Sequence, residues 1–256
     1  MDETLPHLTP ESREQFHRNM RLAEVGEVGQ RRLLASRVMV VGAGGLGSAA
    51  LLYLAAAGVG RLRIADPERL EASNLNRQVL YRRSDLGRPK AASARREIIA
   101  LNPDCRVETV SERVTAANAK ELVRATDLAL DCTDNFEARF AVADACWSLG
   151  VPLVSAGVLR FGGQILSVVP AKGSPCLRCL MPEPPPAEAS PKAAEVGILG
   201  AVAGMFGTLQ AIEAVKILLG VGEDYAHRLL AYDGLAGTFR LIRRERDPAC
   251  PLCGKK

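Results

Sequence analysis

Residues 37–41 read RVMVV and run straight into Gly42-Ala43-Gly44-Gly45-Leu46-Gly47, which opens the Ala/Leu-rich stretch 48–57. A short β-branched run, a G-x-G-x-x-G turn and a helix-forming segment in that order specify a strand, a tight turn and a helix N-terminus. Free backbone N–H groups and the helix dipole there favour phosphate. A second strand over 62–65 completes a β-α-β unit. Asp66 stands at its end, 19 residues beyond Gly47, where a ribose-binding acid belongs. The loop by itself would serve equally as a packing turn; strand, turn, helix and acid together point to a nucleotide.

The alternation continues along the chain. Thr9-Pro10-Glu11 carries an N-cap, a first-turn proline and a first-turn acid, so a helix opens there and a second runs over 29–34. A polar loop over 67–88 precedes a helix over 89–101, a strand over 106–110, a helix over 116–124, a strand over 128–131, a helix over 136–149 and a strand over 152–155. Such alternation implies an α/β fold of Rossmann-like type, with a doubly wound, mainly parallel sheet. The pattern changes from Val158: Gly162-Gly163 lies between two apolar runs, a proline-rich stretch predicts a mobile loop over 180–196, and a long apolar helix over 198–219 leads to late, antiparallel strands within 228–242. A chain of 256 residues with 48% hydrophobic content buries one large core. One domain is expected over 1–256, with N-terminal helices at 11–35, a nucleotide-binding core at 37–156, and the long helix, late strands and metal-bound tail at 197–256.

Charge and composition exclude several classes. The formal net charge of +4 comes from Lys and Arg interleaved with Asp and Glu, which is no nucleic-acid footprint. The N-terminus lacks the basic cap and apolar core of a secretory signal, and the apolar stretch 196–212 carries Thr208 and Gln210 before stopping at Glu213, as a buried helix does and a membrane span does not. Seven cysteines, an odd number, fit a disulfide framework poorly and place the chain in a reducing, cytoplasmic compartment.

Asn74, Arg77, Gln78 and Lys90 discriminate between nucleotides. A gathering of Arg, Lys and polar amide suits the charge of a triphosphate, whereas a nicotinamide needs a mostly neutral pocket. An NAD-dependent oxidoreductase is the alternative that the glycine loop and Asp66 leave open, and a lone Arg or Lys is often a solvated surface charge. Asp131-Cys132-Thr133-Asp134-Asn135 follows a predicted strand on the ligand-binding side of the sheet; Asp134 either holds Mg²⁺ or caps the next helix, with Asp131 or Thr133 as the other candidate caps. Cys176-x-x-Cys179 and Cys250-x-x-Cys253, 71 residues apart, make two knuckles of a closed tetrahedral zinc site, with a redox pair as the competing reading. Cys105, Cys132 and Cys146 read as small core residues, and His7, His17 and His227 show no metal spacing.

GAGGLG, Asp66, SNLNRQ (73–78), RPK (88–90), DCTDN (131–135), the two knuckles and GTLQAIEAVK (207–216), in that order, resemble the ThiF/MoeB/HesA family, ATP-dependent activators of sulfur-carrier proteins related to ubiquitin-activating enzymes. The resemblance covers about 15–253. It implies that Gly42, Gly44, Gly45 and Gly47 hold ATP, Asp66 the ribose, Asn74, Arg77, Gln78 and Lys90 the phosphates, and Asp134 Mg²⁺. It also implies that Arg18 serves the other subunit of a homodimer, although the family's Tyr-x-Arg-Gln reads Phe16-His17-Arg18-Asn19 here. The implied reaction is adenylation of the terminal glycine carboxylate of a ubiquitin-like carrier of MoaD or ThiS type ending in Gly-Gly, with release of pyrophosphate, in molybdopterin, thiamin or related thio-metabolite biosynthesis. A non-catalytic carrier-binding scaffold is the alternative within the same fold. ThiF-type enzymes carry a loop cysteine where this chain has about Ala193, and no cysteine occurs between Cys179 and Cys250. The resemblance therefore predicts adenylation only, with sulfur arriving from a separate persulfide donor.

Overall fold

The computed structural model describes residues 5–186 and 196–254. Helix α1 (Pro10–Gln15) begins as its sequence dictates, with Thr9 Oγ1 accepting from Ser12 N at 3.1 Å; the short α2 (His17–Met20) and α3 (Gly26–Ala35) follow. The core alternates as β1 (Arg37–Val41), α4 (Gly45–Ala56), β2 (Arg61–Ala65), α5 (Lys90–Leu101), β3 (Arg106–Val110), α6 (Ala119–Val123), β4 (Leu128–Asp131) and α7 (Phe136–Leu149). The second half holds β5 (Leu153–Leu159), β6 (Gly162–Val168), the single turn α8 (Leu177–Leu180), α9 (Gly200–Leu219), β7 (Arg228–Asp233) and β8 (Thr238–Arg243). One eight-stranded sheet runs β3-β2-β1-β4-β5-β6-β7-β8, parallel through β5 and antiparallel thereafter. Chain order reverses between β1 and β4, so the crevice beyond their C-terminal ends is the topological switch point where open α/β sheets bind ligands.

Burial explains the central strands. In β1, Val38 and Val40 face one apolar cluster with Leu51 and Leu54 of α4, Ile98 of α5 and Phe206 of α9, while Met39 and Val41 face a second with Val123 of α6 and Phe140 and Val142 of α7. A strand covered on both sides reads as a continuous apolar run rather than an alternating one. Helix α9 is apolar and long enough by length and composition alone to cross a membrane, yet here it lies on α4 and the sheet as a core helix. A Cβ at Gly207 would sit 2.2 Å from Leu46 O, so glycine is what lets the two helices cross so closely. Its buried Glu213 accepts from Tyr225 N at 3.1 Å and Ser167 Oγ at 3.3 Å and pairs with Lys216.

Helix α3 is longer than the expected 29–34 and α9 begins at Gly200 rather than 198, and three further boundaries also differ from the sequence expectation. Helix α4 starts at Gly45, so the last glycines belong to the helix. Helix α6 starts at 119 rather than 116, because Asn118 Oδ1 accepts from Thr115 N at 2.8 Å and holds a turn there. Strand β5 extends to Leu159 through its antiparallel pairing with β6. Much of the loop expected over 180–196 lies outside the described residues, as does Ala193. At the sheet's outer rim all six residues of β8 are exposed, including Phe239, Leu241 and Ile242, with Leu235 81% exposed in the preceding turn.

Candidate active site and metal centre

The crevice at the switch point is a cleft of about 1010 Å³. Gly42 leaves β1 at φ 91°, a conformation that favours glycine, and a Cβ there would lie 2.6 Å from Cys132 O at the end of β4. Gly44 and Gly45 line the cleft, and with no side-chain cap on Gly44 the first N–H groups of α4 are left for a ligand. Gly47 does not line it, contrary to its place in the expected nucleotide-binding set. A Cβ at Gly47 would fall 2.0 Å from Gly42 O, so this glycine lets the helix press against its own loop.

The loop is held through Ala43. Its N–H donates to Asp66 Oδ2 at 2.8 Å, and its carbonyl accepts from the buried Tyr81 hydroxyl at 2.7 Å. Asp66 Oδ1 accepts from Glu68 N at 2.8 Å; burial pushes the Asp66 carboxyl up, against the opposing pull of these two N–H donors. Burial likewise pushes the Tyr81 phenol above its ordinary value. Lys90, the first residue of α5, is buried with 3% side-chain exposure, and its Nζ lies 2.6 Å from Oε2 of the largely solvated Glu68. Asn74 Oδ1 accepts from Glu71 N at 3.0 Å, and Arg77 Nη1 donates to Ser73 O and Asn76 Oδ1. Gln78 Oε1 is buried without a hydrogen-bond partner among the described residues, a vacancy that a ligand donor would fill. Asp66, Asn74, Arg77, Gln78 and Lys90 all line the cleft.

The turn after β4 divides its labour. Asp131 is fully buried, accepting from Thr133 N at 3.0 Å, Ser155 Oγ at 2.6 Å and Arg139 Nε at 2.8 Å, so it is a scaffold and not a cap. The helix cap is Asn135, whose Oδ1 accepts from Ala138 N at 2.9 Å. Neither Asp134 nor Thr133 does that work. Asp134 lines the cleft, exposed and without a hydrogen bond or ion pair among the described residues, so its carboxylate suits a cation. Arg139 also lines the cleft; sequence reasoning missed it, together with Tyr81 and Glu68, because each acquires its role from partners distant in sequence. Beyond this charged end, the cleft continues along residues 157–159, 162–164 and Ala231 of β5, β6 and β7.

Arg18 is not part of this cleft. It is exposed on α2, and its neighbour Asn19 reaches Ala57 O just past the C-terminus of α4. The glycine loop lies at the other end of that 12-residue helix, about 18 Å away.

The four knuckle cysteines converge with all sulfurs within 4.8 Å of one another; Cys176 lies 3.9 Å from Cys179 and 3.5 Å from Cys250, and Cys179 lies 3.2 Å from Cys253. Zinc–sulfur bonds of about 2.3 Å put tetrahedral ligands roughly 3.8 Å apart, so the quartet fits zinc. Burial and the neighbouring thiols push Cys176 up. For Cys250 burial also acts upward, but backbone donors from Cys253 and Leu252 and the adjacent thiols outweigh it and bring it down to about 7. Four thiols this close ionise together only around a cation. Cys105, Cys132 and Cys146 are buried in the core, as expected, with thiols pushed up by burial.

Residues 16–252 match the ThiF family. The chain is 46% identical over 250 residues to a sulfur carrier protein adenylyltransferase of Thermus thermophilus, covering 96% of this chain and 92% of that one. It is 45% identical over 242 residues to the SAMP-activating enzyme of Haloferax volcanii, covering 94% and 89%. With adenylyltransferase and sulfurtransferase MOCS3 of Bos taurus the identity is 47% over 256 residues, 98% of this chain but 56% of that protein. A crystal structure of E. coli MccB with AMPCPP and MccA superposes with a TM-score of 0.82 at 20% identity, covering 94% and 74%, a likeness of fold alone.

Proposed function

Since the chain belongs to the ThiF family, we propose that it uses ATP to adenylate the C-terminal carboxylate of a ubiquitin-like sulfur-carrier protein. The observation that carries the reading is the convergence, at the β1/β4 switch point, of the open glycine loop with Asp66, Arg77, Lys90 and the unpartnered Asp134. The cluster of basic side chains favours a triphosphate over a nicotinamide.

In this reading the loop amides and the N-terminus of α4 take phosphate oxygens, Asp66 holds the ribose, and Asn74, Arg77, Gln78 and Lys90 align the triphosphate. Asp134 would hold Mg²⁺, which when bound neutralises phosphate charge. The carrier tail lies extended along β5, β6 and β7. An oxygen of its carboxylate forms the new bond to the α-phosphorus as the bond to the β-phosphate oxygen breaks, and pyrophosphate leaves. A carboxylate is already ionised at neutral pH, so no general base is needed; alignment and charge neutralisation do the work. The cleft is supplemented by Arg18 from a second copy, a role supported by its exposure and its distance from its own glycine loop. Sulfur then arrives from a separate persulfide donor whose terminal sulfur attacks the acyl carbon as AMP departs. Seven free cysteines agree with a reducing, cytoplasmic setting.

ATP–pyrophosphate exchange with a panel of carriers ending in Gly-Gly tests the reading: exchange that depends on one carrier supports it. Tight carrier binding with no exchange overturns it in favour of a scaffold, and calorimetric binding of NADH but not MgATP in favour of an oxidoreductase. Asp134→Asn is expected to raise the Mg²⁺ concentration for half-maximal exchange about tenfold, on the order of one lost charged ligand. An unchanged magnesium titration would leave Asp134 without a metal role.

A further inference from the structure

We propose that Arg244 is the built-in counter-charge of the four-cysteine centre, a permanent cation that makes a doubly negative metal site tenable inside the protein. The inference rests on the zinc reading of the quartet. Four thiolates around one divalent cation leave a net charge of −2, and such a charge in a low-dielectric interior is costly unless compensated.

Arg244 follows directly on β8 and is only 5% exposed. Its Nη1 donates to Ser167 O at 3.1 Å, and its Nη2 to Pro175 O at 3.0 Å and to Cys176 O at 3.4 Å. Its Nε is buried with no partner, and no carboxylate pairs with it among the described residues. Other anchored arginines are neutralised locally: Arg178 by Asp144 at 2.8 Å, Arg96 by Asp85 at 2.7 Å, Arg139 by Asp131 at 2.8 Å. Carbonyl dipoles alone do not offset a fully buried guanidinium.

The missing anion is supplied by the knuckles. Arg244 bonds the carbonyl of a ligand residue, Cys176, which fixes it beside the quartet. Of the other two arginines nearby, Arg178 is already matched by Asp144. Arg246 donates to Cys253 O from the exposed rim, over the Trp147 ring. Arg244 is thus the buried cation whose charge is left for the centre. It also joins the end of β8 to the first knuckle, so metal loading and the seating of the outer strand become interdependent.

The test compares wild type, Arg244→Met, which keeps length and removes charge, and Arg244→Lys, which keeps charge. Metal content is measured by elemental analysis, zinc affinity by competition with a chromophoric chelator, and Tm with and without the Cys176→Ser/Cys250→Ser pair. Arg244→Met is expected to weaken zinc binding about tenfold or more, with Arg244→Lys retaining most of the affinity. In the background lacking the two thiols, Arg244→Met is expected to lose its destabilising effect, since it then removes an uncompensated charge. Zinc affinity within twofold of wild type, with an equal Tm loss in both backgrounds, would overturn the inference and leave Arg244 a clasp for carbonyls. Wild-type protein that holds no metal overturns the zinc reading and the inference together. If Arg244→Met does not fold, Arg244→Gln against Arg244→Lys in the same competition decides the matter.

Discussion

Replacing Lys90 with alanine is expected to lower carrier-dependent ATP–pyrophosphate exchange by about 10²- to 10³-fold, the scale set by removing one preorganised charge from a site of phosphoryl chemistry. The burial of Lys90 is what makes it effective: its ammonium is withdrawn from water at the start of α5, paired with the solvated Glu68 and near enough to the buried Asp66 for its charge to favour that carboxylate. A triphosphate entering the cleft meets a cation already fixed in place, so little is spent on reorganisation. The same geometry predicts a small stability effect. Once Lys90 is gone, Glu68 rehydrates instead of being stranded, and Tm should fall by only a few degrees, reflecting lost packing of the lysine stem. Steady-state exchange and a thermal melt on the same preparation check both halves. Near-normal turnover would remove Lys90 from the phosphate-binding set, while a collapse of Tm would assign the loss to unfolding.

Cys176→Ser is expected to abolish stoichiometric metal and lower Tm by about 10 °C. Cross-linking across the 71-residue separation of Cys179 and Cys250 removes about 4 kcal/mol of chain entropy from the unfolded state, and for a chain of this size 1 kcal/mol corresponds to about 2–4 °C. Exchange per folded molecule at low temperature should fall far less than in the Lys90 variant. Strand β6 explains why: it enters at Gly162 beside the cleft and leaves at Val168, before the first knuckle, placing the metal centre toward the other end of the sheet. Elemental analysis and calorimetry check this; a metal-free variant with wild-type Tm would show that the quartet does not clamp the fold.

The parts of this structure legible in the sequence are those set by neighbours in the chain. Residues 37–47 announce a strand and an open turn because β-branched residues and glycines act locally, and the two C-x-x-C spacings already contain the knuckle geometry. Roles that arise from distant pairing were not legible. Nothing in the local sequence marks Tyr81 as the donor that pins Ala43, or Arg139 as the partner of Asp131. The cap of α7 is ambiguous in the sequence because Asp, Thr and Asn are nearly equivalent at such positions. Only the burial of Asp131 and the outward turn of Asp134 decide for Asn135. Gly47 obeys the motif yet acts in packing, a distinction visible only once the Gly42 carbonyl is in place.

The two rims of the sheet set how this protein behaves in a tube. Strand β3 ends the sheet with Arg106 and Glu108 outward, whereas β8 offers a free row of backbone donors and acceptors flanked by Phe239, Leu241 and Ile242. Such a rim templates edge-to-edge pairing between molecules, and charge is what holds it off. Arg240 and Arg243 are the charges on that strand, Arg243 lying 3.1 Å from Glu245 Oε1, so repulsion between two approaching copies falls mainly to Arg240. Salt screens repulsion of this kind, with a Debye length of about 3 Å at 1 M. Colloidal stability should therefore worsen as ionic strength rises, with turbidity that begins at one strand.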